Sequence, residues 1–166
     1  MMTSYPVESE YRVEKVKTEA VVVLSSGTST AGSFFLAGSS ATHAGPERVA
    51  DVLNAESGFF PFEVPGPTGP QTILFNRPHV VMVKLGKSAE PQRDPGYDVA
   101  TRRTVSVLLS NGLRLAGEVR VYRPFGRDRL SDYARSTEAF RYIETTEGTL
   151  IVNTAHIVEI FETFTS

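Results

Sequence analysis

The chain has 166 residues, no cysteine and a formal net charge of -2. The lack of cysteine excludes disulfides and thiolate metal sites, and no apolar run approaches the roughly 20 residues that a membrane-spanning helix requires. Because the first residues are too polar for a signal peptide, we expect a protein of the bacterial cytoplasm with no insertion into a membrane.

An internal repeat follows a polar lead-in over residues 1–17. Residues 20–32 align without a gap on residues 105–117, and the match resumes in two later blocks. The first block places Leu24, Ser25, Gly27, Ala31 and Gly32 on Leu109, Ser110, Gly112, Ala116 and Gly117. A repeat of this size indicates two copies of one small domain, which we assign to residues 18–85 and 102–166.

Residues 86–101 separate the two copies and contain two prolines, two glycines and no apolar period. This composition is typical of a linker. Copies of roughly 60 to 70 residues lie at the lower size limit for a self-sufficient core, so we expect them to pack on each other or on a partner.

The second copy carries clear local signals. Apolar residues alternate at 105, 107 and 109, and the Asn-Gly pair at 111–112 predicts a hairpin. Leu130, Tyr133 and Ala134 recur at spacings of three and four, which predicts a helix of fewer than three turns. Three further strands are predicted over residues 140–145, 150–152 and 157–161. In the first copy, the corresponding helix is predicted to hold Pro46 in its first turn and Asn54 at its C-terminal cap.

The strand-turn-strand segment 105–122, with Gly112 and Gly117 five residues apart, resembles the first conserved segment of Sm and Sm-like proteins. The Asn-x-x-His sequence between Leu150 and Ile157 resembles the short turn that joins the last two strands of that fold. The resemblance implies a mainly β chain with two tandem SH3-like or Sm-like barrels, each with a short helix inserted between strands 2 and 3. Because that helix replaces the segment that carries the family's base-contacting asparagine, no nucleic-acid pocket is carried over.

A second resemblance concerns the helix itself. Residues 129–133, with the sequence Arg-Leu-Ser-Asp-Tyr, are similar to a run that marks an uncharacterised bacterial domain family. The first copy keeps Arg48, Asp51, Leu53 and Asn54 of the same pattern. The resemblance implies membership of that family and no known chemistry.

Positions shared by both copies are the candidate binding residues. An arginine and an aspartate three residues apart can form an ion pair on one helix face. An asparagine and a histidine at a turn can cap the backbone or hydrogen-bond a carbonyl, with ligand contact as the alternative. The candidates are Arg48, Asp51, Arg129, Asp132, Asn76, His79, Asn153 and His156, with Arg123 and Arg127 added from the arginine-rich second copy.

Catalytic alternatives are weaker. Ser110, His156 and Asp132 can be written as a hydrolase triad, but no strained nucleophile elbow surrounds the serine. Three histidines without cysteine are a poor basis for a metal site, and the chain has neither a Gly-x-Gly-x-x-Gly loop nor a Walker loop. We therefore predict no enzyme activity, no cofactor and no bound metal.

The predicted function is a non-enzymatic interaction or scaffold module that binds a protein partner or itself through barrel edges and the inserted helix. A homodimer is expected. The candidates for the contact between the copies or between chains are Phe59, Phe60 and Phe62, together with Phe161 and Phe164. The alternative is nucleic-acid binding through the second barrel, because all nine basic residues after position 100 are arginines.

Overall fold

A computed structural model describes residues 15–40, 45–55, 58–86, 101–121, 130–134 and 138–164, with only the backbone of residues 132 and 134. The strands are β1 (Lys15–Leu24), β2 (Ser29–Ala37), β3 (Phe59–Gly66), β4 (Gly69–Asn76), β5 (Val80–Leu85), β6 (Thr101–Leu109), β7 (Arg114–Val121), β8 (Phe140–Thr145), β9 (Gly148–Asn153) and β10 (Ile157–Glu162). Helix α1 (Val49–Leu53) lies between β2 and β3, and helix α2 (Leu130–Ala134) lies between β7 and β8. Single 3-10 turns at Arg77–His79 and Thr154–His156 precede β5 and β10.

The prediction of a mainly β chain is confirmed. All ten strands belong to one antiparallel sheet in the order β10-β6-β7-β8-β9-β5-β1-β2-β3-β4. Among the described strands, β10 and β4 each have a single neighbour, so the sheet is open and its hydrogen bonds do not form two separately closed barrels. The first strand of each copy begins early, β1 within the predicted lead-in and β6 at the last residue of the predicted linker.

The two halves of the sheet repeat one pairing pattern. Within each half the strand order is fifth, first, second, third and fourth. The first and fifth strands pair in the same register in both halves, and both registers shift at the same place, so that Val81 and Val158 have no partner in these ladders. The sequence repeat therefore extends to the irregularities of the sheet.

Two pairs of glycines are kept in both copies because the backbone at these positions does not accommodate a side chain. Gly27 and Gly112 have φ values of +92° and +87° at the tips of the first hairpins, a region that L side chains rarely adopt. Gly32 and Gly117 have a different reason, because an added Cβ would lie 2.1 Å and 2.5 Å from the carbonyl oxygens of Glu63 and Glu144. A side chain at these positions would hold apart the second and third strands.

The core consists of two hydrophobic clusters, one for each half. The first contains stacked and edge-on phenylalanines, with the Phe34 and Phe60 ring centroids 5.4 Å apart. Residues of β5 and β9 cross over: Val81 and Met82 pack in the second cluster, and Ile151 packs in the first. The two copies therefore pack on each other.

Two local predictions need correction. Pro46 precedes the helix, because α1 begins at Val49, although Asn54 does occupy the C-terminal cap. Phe60 and Phe62 are fully buried core residues, which leaves only Phe59 of that aromatic run on the surface. Alternation along β3 turns every second side chain to the core, and Phe59 lies on the outer face.

Candidate functional site

The paired arginine and aspartate of the first copy stabilise α1. The Asp51 carboxylate accepts a hydrogen bond of 2.7 Å from the Arg48 backbone N–H, and Arg48 Nε lies 3.4 Å from the same oxygen. This ion pair closes the first turn of the helix. Because Arg48 is buried, the pair offers little surface to a ligand. The remaining predicted arginines, Arg123, Arg127 and Arg129, lie outside the described residues, as does the side chain of Asp132.

The structure brings predicted site residues together at the joint between the two halves of the sheet. It consists of β5, the fifth strand of the first copy, and β9, the fourth strand of the second copy. Three residue pairs form its antiparallel ladder, namely Met82 with Val152, Val83 with Ile151 and Lys84 with Leu150. Asn153 is the last residue of β9, and His156 lies in the 3-10 turn that follows it. Both make polar contacts beside this ladder.

Asn153 connects the two halves through its side-chain amide. Its Nδ2 donates to the Val80 carbonyl oxygen at 3.0 Å, and its Oδ1 accepts from the Ala155 N–H at 3.0 Å. The residue is buried, so its polar atoms depend on these partners. The predicted capping role is therefore present, and a hydrogen bond across the joint accompanies it.

His156 makes the second polar link across the joint. Its Nε2 lies 2.7 Å from the Pro78 carbonyl oxygen, which can only accept, so Nε2 carries a proton. In the neutral ring, Nδ1 then accepts from the Ser110 hydroxyl at 2.7 Å. The contact between Ser110 and His156 that a triad would need exists, but the other ring nitrogen is held by a backbone carbonyl of the first copy, where a triad would place a carboxylate.

A third link across the joint was missed by the sequence analysis. Asn54 Nδ2 donates to the Phe140 carbonyl oxygen at 2.9 Å, and Asn54 Oδ1 accepts from the Phe140 N–H at 2.8 Å. The cap of α1 thus also holds the first residue of β8. A capping asparagine gives no signal in the sequence that it also binds a strand of the other copy.

The same Asn-x-x-His motif in the first copy lies at an open edge. Asn76 ends β4 without a cap hydrogen bond from its side chain, and His79 is exposed with Nδ1 3.3 Å from the Ser25 hydroxyl oxygen. The backbone around the two motifs is equivalent, because the N–H groups of Ser25 and Ser110 bond the carbonyls of His79 and His156 at 2.8 Å. One motif thus joins two strands and its twin borders an edge.

Exposed apolar side chains concentrate at the two ends of the sheet. Phe59 and Leu74 lie on β3 and β4, while Val158, Phe161 and Phe164 lie on or just after β10. Beyond these five, only Val16 and Leu113 are large and exposed among the described hydrophobic residues. A concentration of this kind is typical of surfaces that contact a partner.

Most of the described arginines of the second copy contact another side chain of the chain. Arg120 pairs with Glu144 at 3.0 Å, Arg114 with Glu159 at 3.0 Å and Arg103 with Glu162 at 3.6 Å. The guanidinium carbon of Arg141 lies 3.6 Å from the centroid of the Tyr133 ring. Four of the five arginines described after position 100 therefore have an acidic or aromatic partner.

A surface cleft of about 730 Å³ lies beside the first half, away from the predicted site residues. It is mostly apolar and is lined by residues that include Glu19, Gly32, Pro65 and Lys84. The carboxylate of Glu63, which also lines it, is 2.9 Å from Lys17 Nζ. The cleft adjoins the joint at Lys84, which also pairs with Leu150 in the joint ladder.

In the part of the chain that the structure describes, no three histidine, aspartate or glutamate side chains are grouped so that they could hold a metal ion. No helix within the described ranges has the length and apolar character needed to cross a membrane. Comparison with known proteins gives no match to a family model, to a curated protein or to a solved structure. The resemblance of residues 129–133 to a domain family stays a prediction.

Proposed function

We propose that the chain is a non-enzymatic interaction or scaffold module that binds protein through the two ends of its sheet. The single observation that carries this proposal is the pair of strand edges, β4 and β10, that no described strand covers, each flanked by exposed apolar side chains. Unpaired backbone groups of an edge strand bind an added strand, and neighbouring side chains select it.

The proposal includes the finer architecture of two SH3-like or Sm-like barrels with a helix between their second and third strands. Two facts support it. Each half repeats the strand order that a small bent barrel would need, and each half has its own hydrophobic cluster. The chain positions of α1 and α2 are those that the proposal requires.

The absence of enzyme activity is part of the same proposal. Its support is the use of the paired residues: Asp51 caps α1, and Asn153 and His156 bind backbone carbonyls across the joint. Groups engaged in this way stabilise the fold. The alternative of nucleic-acid binding draws less support, because the described arginines of the second copy are mostly paired with acidic or aromatic side chains.

Edge-blocked variants test the proposal. The double variant Leu74→Lys/Val158→Lys adds a charge at each open edge, and Val16→Lys is the matched control because Val16 is equally exposed and lies at neither edge. Each purified protein is immobilised and exposed to a cell extract of the native host. Partners that the wild type and the control retain at 0.5 M salt, and that the double variant loses, would support binding through the edges.

Two results would contradict the proposal. The first is that the double variant retains every partner of the wild type. The second is binding to a short duplex whose affinity falls steeply with salt, because counterion release is the mark of phosphate contacts and would favour the nucleic-acid alternative.

A further inference from the structure

The internal joint and the open ends of the sheet are made of the same two kinds of strand. The joint pairs a fourth strand, β9, with a fifth strand, β5. The open ends are the other fourth strand, β4, and the other fifth strand, β10. Each chain therefore presents, at opposite ends, the two components of a joint that it already forms once within itself.

The burial of twin residues supports this equivalence. Ile151 and Val81 are 0% exposed, and each packs in the cluster of the opposite half. Their twins at the open ends, Leu74 and Val158, are 62% and 65% exposed. Phe140, the first residue of β8, is likewise 3% exposed at the joint, whereas its twin Phe59 is 62% exposed. The open ends thus carry exposed apolar side chains at the positions of the repeat whose twins are buried in the joint.

The polar motif gives an independent argument. Asn153 and His156 bond the carbonyls of Val80 and Pro78 across the joint. The first copy keeps both residue types, as Asn76 and His79, although no strand of the described chain lies where their twins find their partners. A second chain would supply those carbonyls.

We propose that β10 of one chain pairs with β4 of the next, in a head-to-tail contact between copies of this protein. The register follows from the joint and places Ile160 opposite Leu74, with Phe161 opposite Ile73. In this contact Asn76 donates to the Ile157 carbonyl and His79 Nε2 to the Ala155 carbonyl of the neighbouring chain. The inference rests on the proposed function, and names the partner as a second copy.

The joint and the proposed contact differ at several positions, including Lys84 in the ladder, whose twin is Phe161. Met82 has the twin Glu159, whose carboxylate is already paired with Arg114 at 3.0 Å and so does not enter the contact as an isolated charge. Asn54 has the twin Arg135, which lies outside the described residues. The hydrogen bonds that Asn54 makes to Phe140 of β8 are therefore not part of the proposed contact. The contact is heterologous and generates a closed ring where its rotation closes, which differs from the expected two-fold dimer.

The test uses two single variants and their mixture, measured by size exclusion with light scattering and by native mass spectrometry. Leu74→Lys blocks only the β4 end and Val158→Lys only the β10 end, because each lysine would be buried where its twin is fully enclosed. Both residues are exposed in the single chain, so the variants should fold, which circular dichroism checks. Val16→Lys is the control for an added charge.

The expected results are specific to a head-to-tail contact. Wild type and Val16→Lys assemble beyond the 18.2 kDa of one chain, and each edge variant alone is a monomer. The mixture of the two edge variants forms only a dimer of twice 18.2 kDa, because one free β10 end and one free β4 end remain. If Leu74→Lys is unfolded, Asn76→Ala and His79→Ala replace it as the blocks of the β4 end.

Other outcomes would overturn the inference. A wild-type monomer at about 100 μM excludes self-assembly, and one edge variant that still forms a homodimer indicates a two-fold contact. If the wild type is a monomer but retains another protein through the edges in the extract experiment, this inference fails and the proposed function stands. If neither self-assembly nor edge-dependent capture is found, both fail.

Discussion

Replacement of Asn153 with alanine should destabilise the fold far more than the same change at its twin, Asn76. The change at Asn153 removes a hydrogen bond of 3.0 Å to the Val80 carbonyl and a second of 3.0 Å from the Ala155 N–H. A net contribution of about 0.5 to 1.5 kcal/mol for each bond gives a loss of about 1 to 3 kcal/mol. Asn76 makes no cap bond and is only half-buried, so its replacement should change the free energy of unfolding by about 0.5 kcal/mol or less.

Urea denaturation followed by far-UV circular dichroism measures this difference, since the chain has no tryptophan for fluorescence. The titration should be made at low protein concentration, because self-assembly would add to the apparent stability of the wild type. Equal losses for the two variants, or no loss for Asn153→Ala, would refute the assignment of the motif to the joint.

Three further changes test individual contacts. Gly32→Ala should unfold the chain or destabilise it by about 3 kcal/mol or more, because the added Cβ lies 2.1 Å from the Glu63 carbonyl oxygen. Gly38→Ala is the control, because an added Cβ there has no atom within 4 Å. Equal thermal midpoints for the two variants would contradict the clash. Asp51→Ala should lower the free energy of unfolding by about 1 to 3 kcal/mol through loss of the N-terminal cap and the ion pair with a buried arginine, and unchanged urea midpoints would count against this role. Burial raises the pKa of Tyr133 above its usual value of about 10, so the stability it contributes is complete below about pH 10 and is lost as pH rises through the folded value. Tyr133→Phe should therefore lose less stability than the wild type between pH 8 and pH 11, and parallel losses in urea titrations would argue against the shift.

The local structure could be predicted from the sequence because its signals are local. The Asn-Gly hairpin of the second copy, the strand at residues 140–145 and the capping position of Asn54 all follow from neighbouring residues. The Asn-Gly pair marked the tip of this hairpin, where Gly112 has a φ of +87°. These features depend on backbone conformations that few residue types adopt.

The joint could not be predicted in the same way. Pairing of β5 with β9 joins strands that are distant in sequence, and no turn specifies it. The role of His156 depends on a carbonyl of the other copy, and the burial of Phe60 and Phe62 depends on which face of β3 meets the core. The repeat identified the important positions, but their partners required the tertiary structure.

Intermolecular disulfide formation reports directly on the contact between β10 and β4 of two chains, because the chain has no cysteine of its own. Residues directly opposite each other in an antiparallel pair have Cα atoms about 4.5 to 5.5 Å apart, within the range of a disulfide. Chains with Leu74→Cys are mixed with chains carrying Ile160→Cys, oxidised mildly and separated without reductant. The internal pair Val83→Cys with Ile151→Cys is the positive control, because these residues are opposite in the joint.

A head-to-tail contact should give a cross-linked species of twice 18.2 kDa in the mixture and little in either variant alone. Replacement of Ile160→Cys by Glu162→Cys, two residues out of register, should reduce the yield. Absence of the cross-link while the internal control forms, or cross-linking of Leu74→Cys chains only with each other, would contradict the head-to-tail contact.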